Sequence, residues 1–139
     1  MTSGTQGTVA VLADDLIWAS RLVAAVNRAG APAVRLSTAD ELRVVLDRDA
    51  AAERGPDDER RLLGVIVDLN GRRYDGAKAV ALAVAARKPV ICAAEHDDQP
   101  TRKAALDAGA QRVFAYAKLF TDGPAVIARW LEQESRVGS

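Results

Sequence analysis

The run Leu62-Leu63-Gly64-Val65-Ile66-Val67 ends abruptly in the carboxylate of Asp68, and this stretch constrains the chain more than any other. A short continuous apolar run rich in β-branched residues predicts a strand buried on both faces, as in a parallel sheet. Leu62 to Val67 is therefore read as a strand, with Asp68 at the carboxyl end of a central position. In open α/β sheets that edge is where ligands and chemistry are found. A strand buried on both faces needs helices on either side, so the rest of the chain must alternate between the two element types.

It does. Val9-Ala10-Val11-Leu12-Ala13 reads as the first strand and ends in Asp14-Asp15. From Leu16 to Ala29, Ala19, Leu22, Val23 and Val26 recur with helical period, and Gly30 and Pro32 mark the stop. Ala33-Val34-Arg35-Leu36 is a short second strand, after which Ser37 or Thr38 caps a helix with Leu42, Val45 and Leu46 inward. Residues 50–60, with Gly55-Pro56-Asp57-Asp58-Glu59, read as an exposed loop. Beyond the third strand come a helix over about Asp75 to Ala86, a strand from Pro89 to Ala94 and a helix from Gln99 to Ala108 closed by Gly109. A fifth strand spans Arg112 to Ala117. Thr121 or Asp122 is expected to cap the last helix, with Pro124 in its first turn and Val126, Ile127, Trp130 and Leu131 on its apolar face.

Five strands alternating with five helices predict a parallel sheet with right-handed crossovers, covered on both faces. At 139 residues the natural solution is one flavodoxin-like α/β domain, a doubly wound sheet of order 2-1-3-4-5. Its switch point lies between strands 1 and 3. Neighbouring strands stand about 5 Å apart, so Asp14, Asp15 and Asp68 are expected to converge there. Three uncompensated carboxylates repel, and one tends to hold its proton. A hard cation such as Mg²⁺ resolves the conflict, since it takes one or two carboxylates plus waters and phosphate oxygens. A carboxylate is also a nucleophile toward phosphorus. Taken singly, each of these acids has a plainer role as a helix or turn cap.

Composition narrows the class. Lys+Arg 19 balances Asp+Glu 19, so no net charge draws the chain to nucleic acid or an anionic membrane, and no DNA-binding element is left over outside the core. No apolar run approaches the roughly 18 residues of a membrane span, and residues 1–7 form a polar tail without a signal peptide's apolar core. Cys92 is the single cysteine, which excludes an intrachain disulfide. A cytoplasmic location is the simplest expectation.

The chain resembles response-regulator receiver domains of the chemotaxis-regulator type. Asp68, Asp75 and Gly76 match the spacing of the phosphoacceptor and the Asp-Gly pair that follows it. Val11-Leu12-Ala13-Asp14-Asp15 is similar to the receiver's first strand and paired acids, Leu22 to its helix 1 leucine, Pro89-Val90-Ile91 to the start of its strand 4, and Ala105 to Ala110 to its Ala-x-x-Ala-Gly-Ala helix end. The resemblance implies that Asp68 is the phosphoacceptor and that Asp14, Asp15, Asp68 and the backbone carbonyl of Asn70 hold Mg²⁺. It implies no enzyme beyond Mg²⁺-dependent self-phosphorylation from a phosphodonor. It also implies a protein partner, either a histidine kinase or a downstream effector, and a possible homodimer through the helix 4–strand 5–helix 5 face.

Two positions depart from that pattern. The Thr or Ser expected at the end of strand 4 falls on Ala94, and the lysine expected at the end of strand 5 falls on Tyr116. Lys118, two residues on, is the candidate displaced charge clamp: in an extended strand a shift of two keeps the face and moves the side chain about 6–7 Å. Arg72 and Arg73 are alternative sources of positive charge. Leu16-Ile17-Trp18 replaces the family's acid and proline after the Asp pair, and Trp18 either flanks the acidic site or belongs to a contact surface. His96 is expected in a surface loop and Cys92 in the core.

The leading expectation is a single-domain receiver that takes a phosphoryl group on Asp68 and acts through protein contacts, the chain ending shortly after helix 5 without an output domain. The second is a pseudo-receiver, an interaction module that works without phosphorylation. The third, a flavodoxin-like domain binding a nucleotide or flavin, ranks last because Asp14-Asp15 stands where a glycine-rich phosphate loop is needed.

Overall fold

A computed structural model describes residues 7–52 and 60–137. Five strands form one parallel sheet, β1 (Thr8–Leu12), β2 (Ala33–Leu36), β3 (Leu62–Asp68), β4 (Val90–Ala94) and β5 (Arg112–Ala115), in the order β2-β1-β3-β4-β5. Between and after them run α1 (Leu16–Arg28), α2 (Ala39–Ala51), α3 (Gly76–Ala85), α4 (Gln99–Asp107) and α5 (Tyr116–Val137). This is the doubly wound flavodoxin-like arrangement read from the sequence.

Period-2 alternation divides the core into two layers. Val65 and Val67 of β3 pack with Leu42 and Leu46 of α2, Ala79, Val80 and Ala83 of α3 and Ala105 of α4. Ile66 faces the other way, into a cluster with Leu22 and Val26 of α1 and with Tyr116, Ile127 and Trp130 of α5. Apart from the partly buried Leu63, the apolar side chains of β1, β3 and β4 are almost fully buried, and each Val, Leu or Ile removed from water contributes about 1.5–3 kcal/mol before conformational entropy is counted. Gly64 lies where Trp130 crosses β3: a Cβ there would stand 2.7 Å from the indole and 3.1 Å from the Pro89 carbonyl.

The helices start where their caps place them. Asp15, Thr38, Asp75 and Asp98 each accept a backbone N–H from the first turn of α1, α2, α3 and α4. Thr38 and Glu41 form a reciprocal capping box. Gly30 and Gly109, at φ 101° and 114°, end α1 and α4 in the left-handed region. The end of α2 is tied to the start of β3 by Lys88, whose ammonium lies 2.6 Å from Asp49 and donates to the Leu62 carbonyl at 2.9 Å. Most of the loop expected over residues 50–60, and the tail over 1–6, lies outside the described residues; α2 itself runs to Ala51.

One boundary differs from the sequence reading. β5 stops at Ala115, and α5 begins at once with Tyr116 rather than at Thr121 or Asp122. Asp122, at φ −123° and ψ 17°, interrupts the helix, and Pro124 follows in the turn after that break. The early turn forms because Tyr116 and Leu119, three apart, share a helical face that packs into the α1 side of the core.

Candidate functional site

The carboxyl ends of β1 and β3 are neighbours, Leu12 standing in register with Val67, so the residues after Leu12 meet those after Val67. Asp68 follows Ile66 by two and therefore points to the α1/α5 side of the sheet. It is 1% exposed, the one charged side chain in the core among the described residues.

Asp68 Oδ1 accepts from the Asn70 amide at 3.1 Å and from the Tyr116 hydroxyl in a short bond. Burial pushes the Asp68 carboxyl above the usual carboxylate range; the Tyr116 and Asn70 donors oppose the shift, and the charges of Asp14 and Asp15 add to it. Asp14 Oδ2 accepts from the backbone amides of Arg72 and Arg73, both at 2.7 Å, which fastens the β3–α3 loop over the end of β1. Asp15 Oδ1 caps α1 through the Trp18 amide at 2.9 Å. The capping role weighed for Asp15 is thus real, and it occupies one oxygen only.

Two tyrosines close the site: Tyr116, which the sequence reading had placed at the position of the expected lysine without giving it a role, and Tyr74, which it had not placed there. The Tyr74 hydroxyl lies 2.6 Å from the Asp68 carbonyl and 3.1 Å from the Leu12 carbonyl, bridging the ends of β3 and β1. Its ring crosses Gly71 so closely that any Cβ at that position would overlap it. The signal available in the sequence was the pairing of Gly71 with an aromatic three residues on. Tyr116, 8% exposed, bonds Asp68 from the first turn of α5 and packs against Trp18 with ring centroids 4.4 Å apart. Burial, then the bond to Asp68, pushes the pKa of its phenol well above the usual range, so it stays a protonated donor at neutral pH.

Lys118 does not join this group. In a helix, two residues turn the chain by about 200°, so with Tyr116 directed inward Lys118 is directed out, where its ammonium pairs with Asp122 at 2.9 Å. The same-face argument for a displaced clamp assumed an extended strand and fails because the strand ends at Ala115. At β4, Ala93 stands in register with Asp68 and packs on its face of the sheet; Ala94 packs on the opposite one. Neither residue carries a hydroxyl. Arg72 and Arg73 contribute backbone amides to Asp14, and both are exposed. His96 is exposed, as expected. Cys92 is fully buried, with burial pushing its thiol up to about 12.

The donor chemistry at this edge is all hard oxygen. Hydrogen bonds occupy Oδ2 of Asp14, Oδ1 of Asp15 and Oδ1 of Asp68, and among the described residues none donates to the second oxygen of each. Among the described residues no three His, Cys, Asp or Glu side chains are drawn together as a ready ligand cluster. Mg²⁺ does not require one, because it keeps several waters and binds through one or two carboxylates. The residues present fit such an ion.

No protein-family model matches the chain, and no curated protein matches it. Solved structures do. A response-regulator receiver domain protein from Methanospirillum hungatei superimposes with a TM-score of 0.74 at 14% identity, over 94% of this chain and 98% of that one. The receiver domain of a sensor histidine kinase from Pseudomonas aeruginosa, solved with a magnesium ion coordinated in its active-site cleft, gives 0.71 at 16% identity, over 94% and 99%. A receiver domain from Rhodospirillum rubrum gives 0.67 at 21%, over 88% and 92%. The chain has the fold of response-regulator receiver domains. No helix among the described residues is long and apolar enough to cross a membrane.

Proposed function

We propose that this chain is a receiver-type signalling domain that accepts a phosphoryl group on Asp68, with Mg²⁺ held by Asp14, Asp15, Asp68 and the Asn70 carbonyl. The observation that carries this reading is the position of Asp68: a buried carboxylate at the end of the central strand, on the switch point, within electrostatic reach of two further acids. In the reaction one Asp68 oxygen forms a bond to phosphorus as the bond from phosphorus to the donor's nitrogen or oxygen breaks, the donor leaving with the electron pair. Oδ2, to which none of the described residues donates, is the nucleophile in this reading. Bound Mg²⁺ supplies charge neutralisation to the transferred group. The chain carries no further active-site chemistry in this reading, and it acts by binding proteins, a phosphodonor kinase on one side and an effector or a second copy on the α4–β5–α5 face on the other.

The competing reading is a pseudo-receiver. It is favoured by one specific observation: Tyr116 holds Asp68 where a receiver has a lysine, and Ala93 and Ala94 provide no hydroxyl. Amide NMR with Mg²⁺ and beryllofluoride, a stand-in for the aspartyl phosphoryl group, separates the two. A phosphoacceptor gives saturable shifts centred on residues 14, 15, 68 and 70 that vanish in Asp68→Asn. Absence of binding at millimolar Mg²⁺ leaves the pseudo-receiver.

A further inference from the structure

We propose that Tyr116 is a latch on the acceptor: its hydroxyl holds Asp68 in the ligand-free protein and is displaced as a phosphoryl group is seated, and its ring carries that displacement to Trp18. The inference rests on the phosphoacceptor reading and deepens it by naming how the site is restrained.

The argument begins with the hydrogen bonds. Tyr116 supplies the one side-chain donor to Asp68 among the described residues, the other donor being the Asn70 amide on the same oxygen. A phenol differs from an ammonium in what it can do next. A lysine stabilises both the free carboxylate and a dianionic phosphoryl group by charge. A neutral hydroxyl has one proton to give, so stabilising the free acid competes with any other use of that donor. The bond is charge-assisted and buried, hence strong in the ligand-free state. A phosphoryl group on Asp68 weakens the acceptor, since an acyl oxygen carries less charge than a carboxylate oxygen, and it places bulk beside the phenol.

The ring has little room for that bulk. Tyr116 is 8% exposed and lies against Trp18, whose indole is held in turn by Arg21 at 5.3 Å from the ring centroid. The same guanidinium lies 4.6 Å over Phe120, which is 64% exposed on the first turns of α5. A chain of ring contacts therefore runs from the buried acid to the surface: Tyr116, Trp18, Arg21, Phe120. Movement of Tyr116 away from Asp68 displaces Trp18, the next member of that chain.

The test compares wild type with Tyr116→Phe, which keeps the ring and its packing on Trp18 and removes the hydroxyl alone. With Mg²⁺ present, Tyr116→Phe is expected to bind beryllofluoride at least about fivefold more tightly, the effect of deleting a competing charge-assisted hydrogen bond. In the wild type, saturation is expected to move the Trp18 indole N–H resonance, assigned by Trp18→Phe, and to leave that of Trp130 in place. Equal or weaker binding by a folded Tyr116→Phe overturns the latch, as does an unmoved Trp18 resonance in a saturated wild type. The second readout needs no Tyr116 variant and decides the matter if that variant fails to fold. Binding by neither protein removes the phosphoacceptor reading and the latch with it, whereas binding by both with equal affinity removes the latch alone.

Discussion

At the residue scale the informative fact is the cost of holding Asp68 ionised in the core. Its folded-state value is raised, chiefly by burial, so folding favours the protonated acid. The associated stability is fully present below the unfolded-chain value of about 3.9 and is lost as pH rises through the folded one. Asp68→Asn keeps an Oδ1 acceptor for Tyr116 and Asn70 and removes the charge. It is expected to be more stable than the wild type at pH 7 by about 1–2 kcal/mol. In urea unfolding followed from pH 8 downward, that advantage should shrink toward pH 4. An advantage independent of pH would contradict the account. Asp68 itself was legible in the sequence because an apolar strand ending in a carboxylate is a local signal. Tyr116 was not legible as its partner. Its position could be counted, but its hydroxyl reaches Asp68 only because the chain turns helical at that very residue, a tertiary outcome.

At the element scale, the strand and helix order followed from periodicity, since each element carries its own hydrophobic repeat. The error lay at one junction. Reading Arg112 to Ala117 as a single strand put Lys118 on the face of Tyr116; the strand's stop at Ala115 puts it on the other side of a helix, against Asp122. The spacing of Tyr116 and Leu119 held the signal for that early turn, but four residues of helical period cannot outweigh an adjoining β-branched and aromatic run by pattern alone. The packing of α5 on the sheet makes its own prediction. Trp130 seats over Gly64 and donates to Gln111 Oε1 at 2.8 Å. A methyl at Gly64 meets the indole and, behind it, the Pro89 carbonyl, so Gly64→Ala is expected to cost about 1–3 kcal/mol and to lower the thermal midpoint. An unchanged midpoint would mean that the α5–β3 contact yields more easily than these distances imply.

At the scale of the whole molecule, one sheet separates two layers that do different work. The α2–α3–α4 side is an apolar layer built on Leu42, Leu46, Val65, Val67, Val80 and Ala83. The α1–α5 side holds Asp68, Tyr116 and Trp18 together with the exposed side chains of Ile17 and Phe120. The topology makes the carboxyl ends of β1 and β3 neighbours, and that adjacency was readable once the strand order was inferred. That Tyr116 would bond Asp68 was not readable, because it depends on which side chain crosses from α5. The central claim, that Asp68 accepts a phosphoryl group, is tested most directly by incubating the protein with phosphoramidate and Mg²⁺ and measuring intact mass. The account predicts addition of one phosphoryl group that depends on Mg²⁺, is released by hydroxylamine as an acyl phosphate is, and is absent from Asp68→Asn. No addition to the wild type, or equal addition to Asp68→Asn, would contradict it.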